Sequence, residues 1–170
     1  SRDDEVDDLE RQSLINVMRT SEEVYTNEEE QVMEDVKEKF RALQSSEWTE
    51  VDSPDHFLKM EKIFEEGNSV AIGRAVTVVD ASFEECASWD YLLMSREARR
   101  GHQDFGGLDS KIVNLSGHSQ LFNVCYDFGV PGIERRELLN FVLWRHRMNR
   151  DFIDSFHVST THEDFPIKDH

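Results

Sequence analysis

Three apolar runs in the last third of the chain limit its fold more than anything else in it. They are Leu121 to Phe128, Leu138 to Trp144 and Phe152 to Val158, each rich in β-branched and aromatic residues. Turn chemistry separates them, first Gly129-Val130-Pro131-Gly132 and then Met148-Asn149-Arg150-Asp151. Runs of this length bounded by such residues read as strands, and short connections make successive strands antiparallel neighbours. Because side chains alternate across a strand, the first run presents Phe122, Val124, Tyr126 and Phe128 on one face and Leu121, Asn123, Cys125 and Asp127 on the other. The second run is apolar on both faces, so alternation alone does not choose between Leu138, Asn140, Val142 and Leu139, Phe141, Leu143.

Upstream the periodicity changes. Val32, Met33, Val36, Phe40 and Leu43 recur at helical spacing behind Asn27-Glu28-Glu29-Glu30, a capping-box start whose acids suit the positive end of the helix dipole. Trp48 to Val51, Phe57 to Phe64 and Val70 to Val79 read as strands, parted by Ser53-Pro54-Asp55 and Glu66-Gly67-Asn68. Ser82-Phe83-Glu84-Glu85 is a second capping box, opening a helix through Cys86, Trp89 and Leu93. Ser95 to Gly107 reads as a short helix and then a loop, and Lys111 to Leu115 restarts β structure. This order predicts an α+β fold, a curved antiparallel β-sheet with an N-terminal helix and one or two inserted helices. At 170 residues one core is expected, burying roughly 70% of the unfolded surface.

The net charge of −17 is unevenly placed, since residues 1 to 30 hold eleven Asp/Glu against three Arg. That density, with only a weak apolar stripe at Val6, Leu9, Leu14, Val17 and Met18, predicts a loosely docked acidic arm over 1–26, partly helical or disordered. An acidic chain is repelled by nucleic-acid phosphate and by anionic membrane surfaces, which argues against a nucleic-acid partner. Cys86 and Cys125 lack C-x-x-C spacing and read as buried free thiols. No apolar run reaches about 18 residues and no basic-then-apolar leader opens the chain, so a soluble, cytoplasmic protein is expected.

A spaced pattern runs through the strands: Arg136-Glu137, then Trp144-Arg145, then Ser159-x-x-His162-x-Asp164-Phe165-Pro166. Val79-Asp80-Ala81-Ser82-Phe83-Glu84-Glu85 precedes it. This order resembles the START family, the steroidogenic-acute-regulatory-related lipid-transfer domains. Their strands carry R-D/E followed by two apolar residues, often a W-R, and then S-x-x-H-x-x-x-P. The resemblance covers Glu47 to Pro166 and implies the helix-grip fold, in which the sheet wraps a long C-terminal helix and an apolar cavity lies between them. Only Ile167 to His170 follow Pro166, so 27–170 is expected to be a START-like domain that is C-terminally incomplete.

The function that the resemblance implies is binding of a single hydrophobic lipid, a sterol, phospholipid or similar molecule, for transfer or sensing, with no cofactor and with transient membrane contact. The apolar face Phe122, Val124, Tyr126 and Phe128 is the natural cavity wall. Many START domains point an Arg into the cavity six residues after the motif Arg. Val142 at that position nominates Leu138, Asn140 and Val142 as the second part of the wall and leaves the cavity more uniformly apolar. Arg135 and Arg136 fall at the cavity entrance.

Other readings stand beside this one. Each wall residue also suits plain core packing, and Arg136 suits an ion pair with Glu134, Glu137 or a neighbouring strand. An interaction or regulatory module that keeps the fold without a ligand is the alternative function, its acidic N-terminal arm serving a protein partner. The seven histidines form no metal-ligand spacing, only His157, His162, Glu163 and Asp164 lie close together, and no metal is expected. No catalytic motif is present either. Asp127, Glu134 and Glu137 lie near the expected cavity mouth, but acid/base work needs two carboxylates in opposed environments.

Overall fold

A computed structural model describes residues 2–67, 69–132, 134–147 and 152–162. The elements in order are α1 (Arg2–Thr20), α2 (Asn27–Gln44), β1 (Thr49–Val51), β2 (Lys59–Phe64), β3 (Ala71–Val76), α3 (Phe83–Tyr91), α4 (Arg96–Asp104), β4 (Gly107–Asn114), β5 (Ser119–Tyr126), β6 (Arg136–Arg147) and β7 (Phe152–Ser159). The fold is α+β, with antiparallel strands throughout. They form two sheets, ordered β1-β2-β3 and β4-β5-β6-β7, where one was expected, and no pairing among the described residues joins them. The expected turn Met148-Asn149-Arg150-Asp151 and the motif residues Asp164, Phe165 and Pro166 lie outside the described residues.

The chain divides into two compact units, Ser1–Thr26 with Ser82–His170, and Asn27–Ala81. The segment expected as an accessory arm therefore belongs to the unit of the four-stranded sheet. In the Asn27–Ala81 unit, β2 pairs β3 from Lys59↔Val76 to Phe64↔Ala71. The Val70 to Val79 run outlasts its strand because β2 begins opposite Val76, and Val78 stands exposed beyond the ladder. Glu61 receives Lys59 at 3.0 Å and Arg74 at 2.6 Å. Those two cations hold its carboxyl below the ordinary value, and the Arg74 guanidinium also stacks on Trp48, 4.3 Å from the ring centroid.

In the other unit the predicted capping box of α3 forms in full. The Ser82 hydroxyl accepts from the Glu85 amide at 3.2 Å, and the Ser82 amide donates to the Glu85 carboxylate at 2.8 Å. Ser95 caps α4 in the simpler way, accepting from the Ala98 amide at 3.3 Å. β4 starts at Gly107, ahead of the expected Lys111, because Gly106 turns the chain with φ +86° and its carbonyl accepts from Asp127 N at 2.8 Å. That bond seats the start of β4 against the end of β5. The core of the unit is Met18, Ala87, Tyr91, Phe122, Val124, Val142 and Trp144, drawn from α1, α3, β5 and β6. Cys86, expected to be buried, is exposed, and Cys125 is half-buried; both are free thiols.

Candidate functional site

The register of β5 against β6 decides the question that alternation left open. Phe122 pairs with Asn140, Val124 with Leu138 and Gln120 with Val142, and directly opposed residues share a face. Phe122, Val124, Tyr126, Leu138, Asn140 and Val142 therefore stand on one face, and alternation along β6 adds Trp144 to it. Phe128 continues that face past the end of β5, stacking parallel to Tyr126 with ring centroids 5.7 Å apart. Leu121, Leu143 and Phe156 on the opposite face are also buried. From Val142 to Trp144 β6 is thus enclosed on both sides, which is why its sequence does not alternate there.

Burial falls steadily along the nominated face. Phe122 is 3% exposed and Val142 fully buried, whereas Leu138 is 44% and Phe128 51% exposed. This face was expected to wall an apolar cavity, either standing open or closed by something other than a C-terminal helix. Its buried end is packed against the chain's own α1 and α3: Met18, fully buried, joins Ala87 and Tyr91 in the core, and Leu14 and Val17 pack beside them.

Polar contacts tie α1, α3 and the segment after α1 to the sheet and to one another. The Met18 carbonyl lies 2.8 Å from His146 Nδ1, and the Tyr25 hydroxyl donates to the Trp144 carbonyl at 3.0 Å. Glu23 meets His118 Nδ1 at 2.8 Å, Arg19 meets Glu84 at 3.4 Å, and Gln120 Nε2 donates to the Tyr91 carbonyl at 2.7 Å.

On the same face α4 supplies a ring. His102 of α4 stacks on Phe122 at 5.2 Å and meets Tyr126 edge-on at 6.3 Å. Burial pushes the imidazole below its ordinary pKa, which favours the neutral ring, and pushes the Tyr126 phenol up. A cavity of about 230 Å³ lies beside this stack, lined by Met94, Arg99, His102, Gln103 and Val124 among others. A second, of about 270 Å³, is bordered by Ser21, Glu23, Tyr25, Trp144, Arg145 and His146. Both carry many polar side chains, and both fall below the ~300–1,000 Å³ of ordinary small-molecule pockets.

At the expected entrance, Arg135 pairs with Asp127 at 3.3 Å, while Arg136 is exposed and makes no ion pair with any described residue. The ion pair anticipated for Arg136 falls to its neighbour.

The carboxylates near this end do not form an acid/base couple. The Gly129 amide and then Arg135 hold Asp127 below the ordinary carboxylate range, and Glu137 accepts from Asn123 on the opposite face at 3.1 Å. A Ser-His-Asp grouping does occur where α3 meets β7. Asp90 accepts from Ser155 and lies 3.0 Å from His157 Nε2, and Ser155 Oγ is 3.5 Å from that same nitrogen. A relay needs the acid and the nucleophile on different ring nitrogens, so this grouping is a clamp between helix and sheet. Among the described residues no group of three or more His, Cys, Asp or Glu could hold a metal ion, and none of their helices is long and apolar enough to cross a membrane.

Three residues of the site were not nominated from the sequence. Trp144 was within reach, two positions beyond Val142 on the same face. Met18 belongs to a stripe too weak to outweigh the surrounding charge, and nothing local in α4 marks His102 as a ring partner for β5. No family model, no curated protein and no solved structure matches this chain.

Proposed function

We propose that the chain is a START-like, helix-grip domain that binds a single hydrophobic lipid on the β5–β6 face, in the space now filled by the last turns of α1. The observation that carries this reading is the gathering of six nominated residues on one face whose burial fades from Val142 to Leu138. In this reading α1 takes the place of the gripping helix, and the exposed end at Phe128 and Leu138 is where a lipid enters and where the protein touches a membrane transiently.

Magnitudes set the ligand's size. Exposing Leu14, Val17 and Met18 costs up to about 1.5–3 kcal/mol for each side chain, and each methylene buried in exchange contributes ~0.8 kcal/mol. A ligand therefore needs on the order of eight buried methylenes to break even, which selects lipids over small metabolites. The net charge of −17 favours neutral or zwitterionic lipid surfaces over anionic ones.

A second reading is favoured by the complete burial of Met18: an interaction or regulatory module in which α1 fills the face permanently and the acidic exterior meets a protein partner. Native mass spectrometry of the full chain, before and after incubation with phosphatidylcholine–cholesterol vesicles, separates the two. A one-to-one lipid adduct supports the carrier. A clean apo mass in both samples, from protein with an intact circular-dichroism spectrum, rejects the carrier and leaves the module.

A further inference from the structure

Trp144 is fully buried, and its indole nitrogen has no hydrogen-bond partner. Its backbone is satisfied on both sides: the amide donates to the His118 carbonyl at 3.0 Å, and the carbonyl accepts from Tyr25. Of the polar side chains on the same face, Gln120 is spent on the Tyr91 carbonyl and His146 on the Met18 carbonyl. A buried donor without a partner is uncommon in a folded protein, because the group loses water and gains nothing. An indole N–H can only donate, so whatever satisfies it must bring an acceptor. Charge narrows the choice: a carboxylate or phosphate loses its hydration in this apolar core at a large cost, whereas a hydroxyl or carbonyl oxygen carries a far smaller one.

We infer that the face accepts an apolar molecule bearing one neutral acceptor oxygen, a hydroxyl or carbonyl, received by Trp144 Nε1, and that Leu14, Val17 and Met18 are the chain's own stand-in for its hydrocarbon. The inference rests on the lipid-binding reading and specifies its ligand. Met18 suits the role of stand-in, since an unbranched thioether side chain adapts to an irregular apolar space. The segment that follows α1 is tied to the sheet unit by the Tyr25 hydroxyl and the Glu23 carboxylate. Loosening those ties favours the ligand.

The test uses the full chain with decan-1-ol and decane, which share a chain length and differ in one acceptor oxygen. Nitrogen-15 spectra show the indole N–H groups of Trp48, Trp89 and Trp144, and Trp144→Phe identifies the third. Decan-1-ol is expected to move the Trp144 proton downfield and to bind roughly 2- to 10-fold tighter than decane, a preference that Trp144→Phe abolishes. Met18→Ala is expected to raise affinity for both ligands. Because that change also thins the core, Tyr25→Phe and Glu23→Gln, which cut only the polar ties, are measured beside it with the same expected gain. Equal binding of alcohol and alkane with the Trp144 signal unmoved overturns the acceptor assignment while the lipid reading stands. Absence of binding to the wild type and to every releasing variant overturns both.

Discussion

The carbonyl oxygen of Met18 lies 2.8 Å from Nδ1 of His146. A carbonyl can only accept, so Nδ1 carries the proton, and the last turn of α1 is fastened to β6 at the residue that also fills the core. That contact joins the acidic N-terminal segment to the face nominated for a ligand.

Met18→Ala should destabilise the protein by about 2–5 kcal/mol, the usual cost of truncating a fully buried Met. Leu9→Ala, on the exposed side of the same helix, should stay within about 0.5 kcal/mol of wild type. Urea denaturation of the two variants measures the contrast. Equal small effects would mean that α1 is loosely held.

The capping box at Ser82 should behave as an independent unit. Ser82→Ala removes the acceptor for the Glu85 amide and is expected to cost about 1 kcal/mol, read from the same denaturation curves. The Ser82 amide and hydroxyl hold the Glu85 carboxyl below its ordinary value. Its contribution is therefore present at neutral pH and lost as the pH falls below the ordinary value of 4.5.

Asp90 gives a second acid dependence. Burial pushes its carboxyl up, but the hydrogen bonds from His157 and Ser155 outweigh that and leave it below the ordinary 3.8. A depressed carboxyl stabilises the fold above its unfolded pKa, and that stability is lost as the pH falls through the folded value. Asp90→Asn should therefore lower stability at pH 7 and flatten the decline below pH 3.8, as thermal melts across an acid series would show. An unchanged acid limb would mean that the clamp does not hold α3 to β7.

Gly106 and Gly129 both have positive φ, at +86° and +63°, yet they should respond differently to substitution. A Cβ at Gly106 would collide with the Asp127 carbonyl, whereas one at Gly129 meets nothing within 4 Å. Gly129→Ala should cost about 1–2 kcal/mol, the ordinary strain of the left-handed region. Gly106→Ala should cost more, because the Asp127 backbone that follows β5 must also shift. Melting temperatures of the two variants make the comparison.

The sequence was most legible where one physical signal acted alone. The capping box at Ser82, the helical stripe from Val32 to Leu43 and the alternation of Phe122, Val124 and Tyr126 each located an element or a face before any coordinates. Where two signals competed, the outcome depended on tertiary contacts. The β6 run is apolar on both sides and buried on both from Val142 to Trp144, so only its register against β5 places Leu138, Asn140 and Val142 beside Phe122 and Val124. In α1 the charge of Glu5, Asp7, Asp8 and Glu10 masked Leu14, Val17 and Met18, whose burial comes from partners on α3, β5 and β6 far along the chain. The division into two sheets was equally hidden, since alternation gives the faces of a strand but says nothing of which edge it pairs.

Hydrogen exchange along α1, with and without bound lipid, tests the central claim most directly. Once native mass spectrometry shows a one-to-one adduct, the account predicts faster exchange of the amides of residues 14–20 than in the lipid-free chain, and slower exchange in β5 and β6. Unchanged or stronger protection of α1 in the lipid-bound protein would contradict it, and would mean that α1 is a permanent part of the core and that lipid binds elsewhere.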